Sequence, residues 1–202
     1  FRSENYNVAQ FIRICQKVGL WVLLRPGPYV CGERDFGGLP SYLLKIPDIK
    51  VRCSDPRYLS AVKRYIDALS VQVRPLLVSN GGPILMVQIE NEYGSYANDR
   101  SYLNTIKKYW LANGFNVPFF MEDGPSITML TKWNVEGAAV GLDSGSNDGD
   151  FELAAKVCPN RPSFSSETYP GWLTGWGSSY AKTDTASLLK DVSYLMTHKK
   201  SV

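Results

Sequence analysis

The sequence predicts an α/β fold of parallel strands alternating with helices, and three observations carry that reading. Short, largely apolar runs such as Leu20-Trp21-Val22-Leu23-Leu24 and Ile84 to Ile89 alternate with longer stretches of helical periodicity. Polar and acidic residues gather directly after those runs. No internal repeat and no linker-like composition divides the 202 residues, so a single domain over 1–202 is expected.

The elements follow in order. Phe11, Ile12, Cys15 and Val18 fall at helical spacing from about Val8 to Val18, with Gly19 as the stop. Leu20–Leu24 reads as a strand buried on both faces, and a Gly- and Pro-rich loop runs from Pro26 to Asp55. Pro56 suits the first turn of a helix capped by Ser54 or Asp55, with Ala61, Val62, Tyr65, Ile66 and Leu69 on one stripe. Gly81-Gly82-Pro83 breaks the chain before the strand that starts at Ile84. A helix near Asp99–Ala112 ends at Asn113-Gly114. Further strands are expected over Val117–Met121, Val135–Leu142 and Pro162–Glu167, with a short helix over Phe151–Val157 and a last one over about Asp184–His198.

Composition narrows the chemistry. Forty-four per cent of residues are hydrophobic, enough for a packed core. Twenty-two basic against 19 acidic residues give +3, too little and too scattered for nucleic acid or an anionic surface. No apolar run reaches the length of a membrane span. The single histidine, His198, excludes a multi-His zinc site and reads as a solvated residue at a helix C-terminus. Cys15, Cys31, Cys53 and Cys158 form no C-x-x-C pair and read as free thiols. Neither a phosphate loop nor a dinucleotide fingerprint occurs. Twelve Tyr, 8 Phe and 5 Trp, with ample carboxylate, suit sugar chemistry.

Three strand ends carry that chemistry. Arg25 to Glu33 follows the first strand, Gln88-Ile89-Glu90-Asn91-Glu92-Tyr93-Gly94 the second, and Ser165-Ser166-Glu167-Thr168-Tyr169 the fifth. Parallel strands point their C-terminal ends one way, so the three clusters should share one rim, where (β/α)₈ barrels keep their active sites. Glycoside hydrolysis needs two carboxylates, one protonated and one attacking or positioning water. Glu92 and Glu167 are candidates. Strand alternation would put Glu90 and Glu92 on one face, leaving the choice between them open. Glu122-Asp123 and Asp143 should face the same rim in supporting roles. Arg25 reads as an orienter of the nucleophile or as a salt-bridge partner under the site. Trp172 and Trp176 could stack on sugar or pack a loop.

Leu24-Arg25-Pro26-Gly27-Pro28-Tyr29-Val30-Cys31-Gly32-Glu33, Phe36-Gly37-Gly38-Leu39-Pro40, Gly81-Gly82-Pro83-Ile84 through Glu90-Asn91-Glu92-Tyr93-Gly94, and Glu167-Thr168-Tyr169-Pro170-Gly171-Trp172 together resemble the β-galactosidases of glycoside hydrolase family 35. The resemblance implies a catalytic (β/α)₈ barrel with the retaining mechanism. It makes Glu92 the acid/base and Glu167 the nucleophile. Asn91 would meet the sugar near its 2-hydroxyl, Glu33 with the Cys31 and Gly32 backbone would grip galactose hydroxyls, and Tyr169 would sit beside the nucleophile. Glu90 would be an interior residue paired with a cation such as Arg25.

The implied substrate is a galactose-terminated oligosaccharide or glycoconjugate, with no metal, cofactor, nucleic acid or membrane span involved. A secreted, periplasmic or lysosomal location is expected over a cytoplasmic one. Arg34 stands where the family usually has Trp, and Gly32 where it often has Ala. The five strands are expected to be strands 3 to 7 of a barrel incomplete in this chain, which alone would not be a stable active enzyme. Alternatives are an exo-glycosidase for another sugar, such as a β-glucosaminide, and an inactive galactose-binding remnant.

Overall fold

The computed structural model describes residues 3–132, 135–143, 145–169 and 171–198. Pro170 of the last motif lies outside the described residues. The chain forms two compact units, Phe1–Asn91 with Ala97–Met121 and Trp133–Ala138, and Glu92–Tyr96 with Glu122–Lys132 and Ala139–Val202. Five strands occur among the described residues, and every described pairing is parallel. The fold is the expected α/β class, a partial (β/α)₈ barrel.

In the first unit, helix α1 (Val8–Lys17) begins at Asn7, whose side chain accepts the Gln10 N–H. It ends in a Schellman turn, with Leu20 N–H bonded to Cys15 O at 2.9 Å and Gly19 N–H to Gln16 O at 3.1 Å. That turn consumes Leu20, so strand β1 covers only Val22–Leu24. The expectation of a Leu20–Leu24 strand buried on both faces is corrected accordingly. Leu20 and Trp21 are exposed, Leu23 is 40% exposed, and β2 is the only strand paired with β1 among the described residues. Likewise α1 buries Ala9 and Ile12, while Phe11 and Val18 face outward.

Helix α2 (Pro56–Val73) is capped by Asp55, which accepts the Arg57 N–H, and buries Ala61, Val62, Ile66 and Leu69 as the stripe predicts. Strand β2 (Ile84–Gln88) pairs with β1 at Val22↔Ile84 and Leu24↔Val87. In chain order, the short helix α3 (Tyr93–Tyr96) precedes α4 (Arg100–Ala112). Helix α4 buries Tyr102, Leu103, Ile106 and Trp110. Strand β3 (Phe119–Asp123) starts two residues later than expected and pairs with β2 at Val87↔Phe119 and Gln88↔Phe120.

The second unit holds α3, α5 (Ile127–Lys132), β4 (Ala139–Asp143), α6 (Asp148–Val157), β5 (Ser163–Glu167) and α7 (Thr185–Thr197). Neither α3 nor α5 announces itself in the sequence, because both are too short for periodicity to register. Leu130, Val140, Leu142, Phe151, Ala154 and Leu195 form its core. Strand β4 is shorter than the expected Val135–Leu142. Residues 135–138 form a turn closed by Ala138 N–H to Val135 O, with Gly137 at φ 70°.

His198 caps α7, exposed, with its ring stacked 4.4 Å from that of Tyr194. The four cysteines are free. No described helix is long and apolar enough to cross a membrane.

Asp99 ties α4 to the loop ahead of α2. Its carboxylate accepts the Tyr102 N–H at 3.0 Å and the Ser54 N–H at 2.9 Å. Partial burial works against its charge, yet these donors outweigh it and hold the carboxyl below the usual range. Asp99→Ala should therefore cost about 1 kcal/mol in chemical or thermal unfolding at neutral pH. A lowered carboxylate pKa contributes stability above the unfolded value of about 3.9, and that contribution fades as pH falls through the folded value. The difference between wild type and variant should shrink as pH is lowered from about 5 toward 2.

Candidate active site

After Gln88 the chain leaves the strand conformation. Glu90 and Glu92 adopt φ of 62° and 44°, in the left-handed region. The alternation expected to put them on one face is broken, and the two glutamates part. Glu90 is fully buried in the first unit, whereas Glu92 is half-buried and belongs to the second.

Glu90 is paired with Arg52 rather than with the expected Arg25. Arg52 Nε and Nη2 donate to its two oxygens at 3.0 and 2.8 Å, and Nη2 also reaches the Asn91 carbonyl at 2.6 Å. Glu90 Oε2 accepts the Asn91 N–H at 2.7 Å, and Oε1 accepts the Tyr102 hydroxyl at 2.9 Å. Burial drives the Glu90 carboxyl upward against these donors. Burial also opposes the Arg52 charge, but the bonds and charge of Glu90 prevail and raise its pKa. Arg25 serves the neighbouring amides, donating from Nε to Gln88 Oε1 at 2.6 Å and from Nη2 to Asn91 Oδ1 at 2.8 Å.

Cys31, Gly32 and Glu33 lie in the loop after β1, at successive φ of 54°, 57° and 49°. Cys31 is half-buried, and the other two are exposed. Two residues earlier, the Tyr29 ring lies 3.7 Å beneath the Arg52 guanidinium, which ties this loop to the Glu90 pair. Gly37 makes room for the ring, since a Cβ there would stand 1.8 Å from Tyr29 Cε2. Asn91 is 5% exposed and ends the first segment of the first unit.

The second unit gathers the remaining acids. Carboxylate oxygens of Glu92, Glu122 and Asp143 lie within 4.8 Å of one another. Asp143 ends β4 opposite Glu167 of β5, because an irregularity after Leu142 brings Glu167 rather than Ser166 into register with it. Ser165 Oγ meets Thr168 Oγ1 at 2.9 Å and shapes the turn after Glu167. Tyr169 and Trp172 follow with ring centroids 5.3 Å apart, and Trp172 and Trp176 are exposed. Asp123, fully buried, accepts the N–H groups of Gly94 and Ser95 at 2.9 and 3.0 Å and so fixes the turn that Glu92 begins. Gly94 allows that approach, since a Cβ would sit 2.3 Å from Met129 O.

Carboxylates converging from the ends of parallel strands, in a chain with a single histidine, are equipment for acid–base and nucleophilic work on a polar substrate. Residues 2–202 match the family model described as glycosyl hydrolases family 35, and the chain belongs to that family. It is 40% identical over 205 residues to a protein of Homo sapiens named "Beta-galactosidase", covering 99% of this chain and 30% of the relative. It is 43% identical over 198 residues to "Beta-galactosidase 17" of Arabidopsis thaliana, covering 92% of this chain and 28% of the relative. A "Beta-galactosidase" of Xanthomonas manihotis is 38% identical over 195 residues, covering 96% and 33%. The chain thus spans about three tenths of the length of the curated relatives it matches.

Sequence reasoning missed Arg52, Tyr102 and the anchoring role of Asp123. The one available signal was indirect, a buried Glu requiring a cation. The pair gives a test that separates the two glutamates. Glu90→Ala strands the buried Arg52 charge and should cost about 3–5 kcal/mol of stability in denaturant titration. Glu92→Ala, at a half-buried position, should cost under about 1.5 kcal/mol.

Proposed function

We propose that the protein hydrolyses terminal β-linked galactose by double displacement with retention, Glu167 acting as nucleophile and Glu92 as acid/base. The observation that carries this reading is the carboxylate cluster. Glu92 stands within reach of Asp143, and Asp143 is the register partner of Glu167. Membership of the family and relatives named for β-galactosidase activity supply the substrate class.

In this reading Glu167 attacks the anomeric carbon while Glu92 protonates the departing oxygen. Glu92 then takes a proton from water, which releases galactose from the Glu167 ester with its configuration restored. An acid must hold a proton before it can give one.

Asn91 is assigned to the sugar near its 2-hydroxyl. Its Oδ1 accepts Arg25 and Gln88, which sets the orientation of the amide. Glu33, with the Cys31 and Gly32 backbone, is assigned to other galactose hydroxyls, and Tyr169 to the neighbourhood of the nucleophile. The natural substrate is a galactose-terminated oligosaccharide or glycoconjugate. The chain, in this proposal, is a single section of the catalytic barrel domain.

Two measurements on the complete protein test the proposal. Proton NMR of the first sugar released from a β-galactoside should show the β anomer, and α-galactose would refute retention. Glu92→Gln should lower kcat/KM on poor leaving groups by about 10²–10⁴-fold and far less on activated aryl galactosides, whose departure needs no acid. Selective loss in Glu90→Gln instead would exchange the roles.

A further inference from the structure

Asn91 is held from three directions within the first unit. Its carbonyl accepts Arg52 Nη2 at 2.6 Å, its N–H donates to Glu90 Oε2 at 2.7 Å, and its Oδ1 accepts Arg25 and Gln88 at 2.8 and 3.2 Å. Arg52 governs both backbone bonds, the first directly and the second by fixing the two oxygens of Glu90. Its own place is set by burial to 6% exposure and by the Tyr29 ring 3.7 Å away. Tyr102 closes the arrangement from α4, bonded to Glu90 Oε1 and 3.4 Å from the Tyr58 hydroxyl.

We infer that Arg52 is a positioning residue for recognition of the substrate's 2-hydroxyl, acting through the backbone of Asn91; the inference rests on the assignment of Asn91 to that hydroxyl above. A planar guanidinium can fork onto Glu90, reach the Asn91 carbonyl and lie flat on an aromatic ring at once. A lysine ammonium keeps the charge but is a point donor on a flexible stem. It can hold one carboxylate oxygen without fixing the peptide that carries the Asn91 side chain. Contacts to a glycoside's 2-hydroxyl strengthen in the oxocarbenium-like transition state, so a small displacement of the amide is felt there in the rate. A purely structural ion pair would act differently. Its loss would lower stability and reduce activity on all substrates alike.

The test compares kcat/KM of the complete protein on an aryl β-galactoside and on its 2-deoxy analogue, for wild type, Arg52→Lys, Asn91→Ala and Tyr102→Phe. Arg52→Lys should fall about 10–100-fold on the galactoside and no more than about threefold on the 2-deoxy substrate. Asn91→Ala should show the same selectivity. Equal loss on both substrates in Arg52→Lys, with Asn91→Ala still selective, overturns the role of Arg52 and leaves that of Asn91 standing. If Asn91→Ala is itself unselective, the assignment of Asn91 fails and the inference falls with it. Tyr102→Phe keeps the ring and removes one donor from Glu90. It should show a weaker selective loss of about threefold. Should Arg52→Lys not fold, an unselective Tyr102→Phe overturns the inference.

Discussion

The first unit is organised around one buried ion pair. Arg52 and Glu90 meet with side chains 7% and 0% exposed, and stripping water from both charges costs several kcal/mol per ion. The pair is sustained because few of its polar atoms are left to Coulomb attraction alone. The guanidinium forks onto the carboxylate, takes a backbone carbonyl and covers the Tyr29 ring, while Glu90 also accepts a tyrosine hydroxyl and a backbone N–H. Such a pair stabilises little over an apolar replacement, but it demands one arrangement of its neighbours. Here the neighbour is the peptide leading to Glu92.

The acidic residues after β2 and β3 have fates set by partners rather than by type. Glu90 spends both oxygens on Arg52, Tyr102 and Asn91. Asp123 spends both on the amides of Gly94 and Ser95, a carboxylate at the start of a turn of helix. Glu92 and Glu122 lie with Asp143 in a group whose carboxylate oxygens are within 4.8 Å of one another. Acids committed to strong donors hold structure.

The acidic clusters at the strand ends, around Glu92 and Glu167, are legible in the sequence, since an acidic cluster after an apolar run needs no tertiary knowledge to notice. The sequence was silent on Arg52, whose partner lies 38 residues away and whose loop setting resembles that of any other solvated base. A cation is expected at Arg25, which follows a strand, whereas Arg25 donates to the amides of Gln88 and Asn91. Alternation failed at Glu90 and Glu92 because it presumes extended backbone, and nothing in a glutamate announces a positive φ. Strand β1 was read too long because Leu20 suits a strand as well as the closing turn of α1, and hydrogen bonding to Cys15 decided the matter.

Backbone strain follows the same map. Among the described residues, the non-glycine positions with positive φ are Cys31, Glu33, Phe36, Asp48, Arg52, Glu90, Glu92 and Asn160. A left-handed conformation costs a side-chain-bearing residue about 1–2 kcal/mol, and glycine would relieve it. At Arg52 and Glu90 the paired hydrogen bonds explain why glycine does not stand there, since the side chains offset the strain by fixing each other. Strain held in place by packing and bonding gathers where a fold serves something other than its own stability. On that argument the cost borne at Glu92 is informative. Its half-buried carboxyl stands within 4.8 Å of those of Glu122 and Asp143, a gathering of acids that fits the role proposed for it.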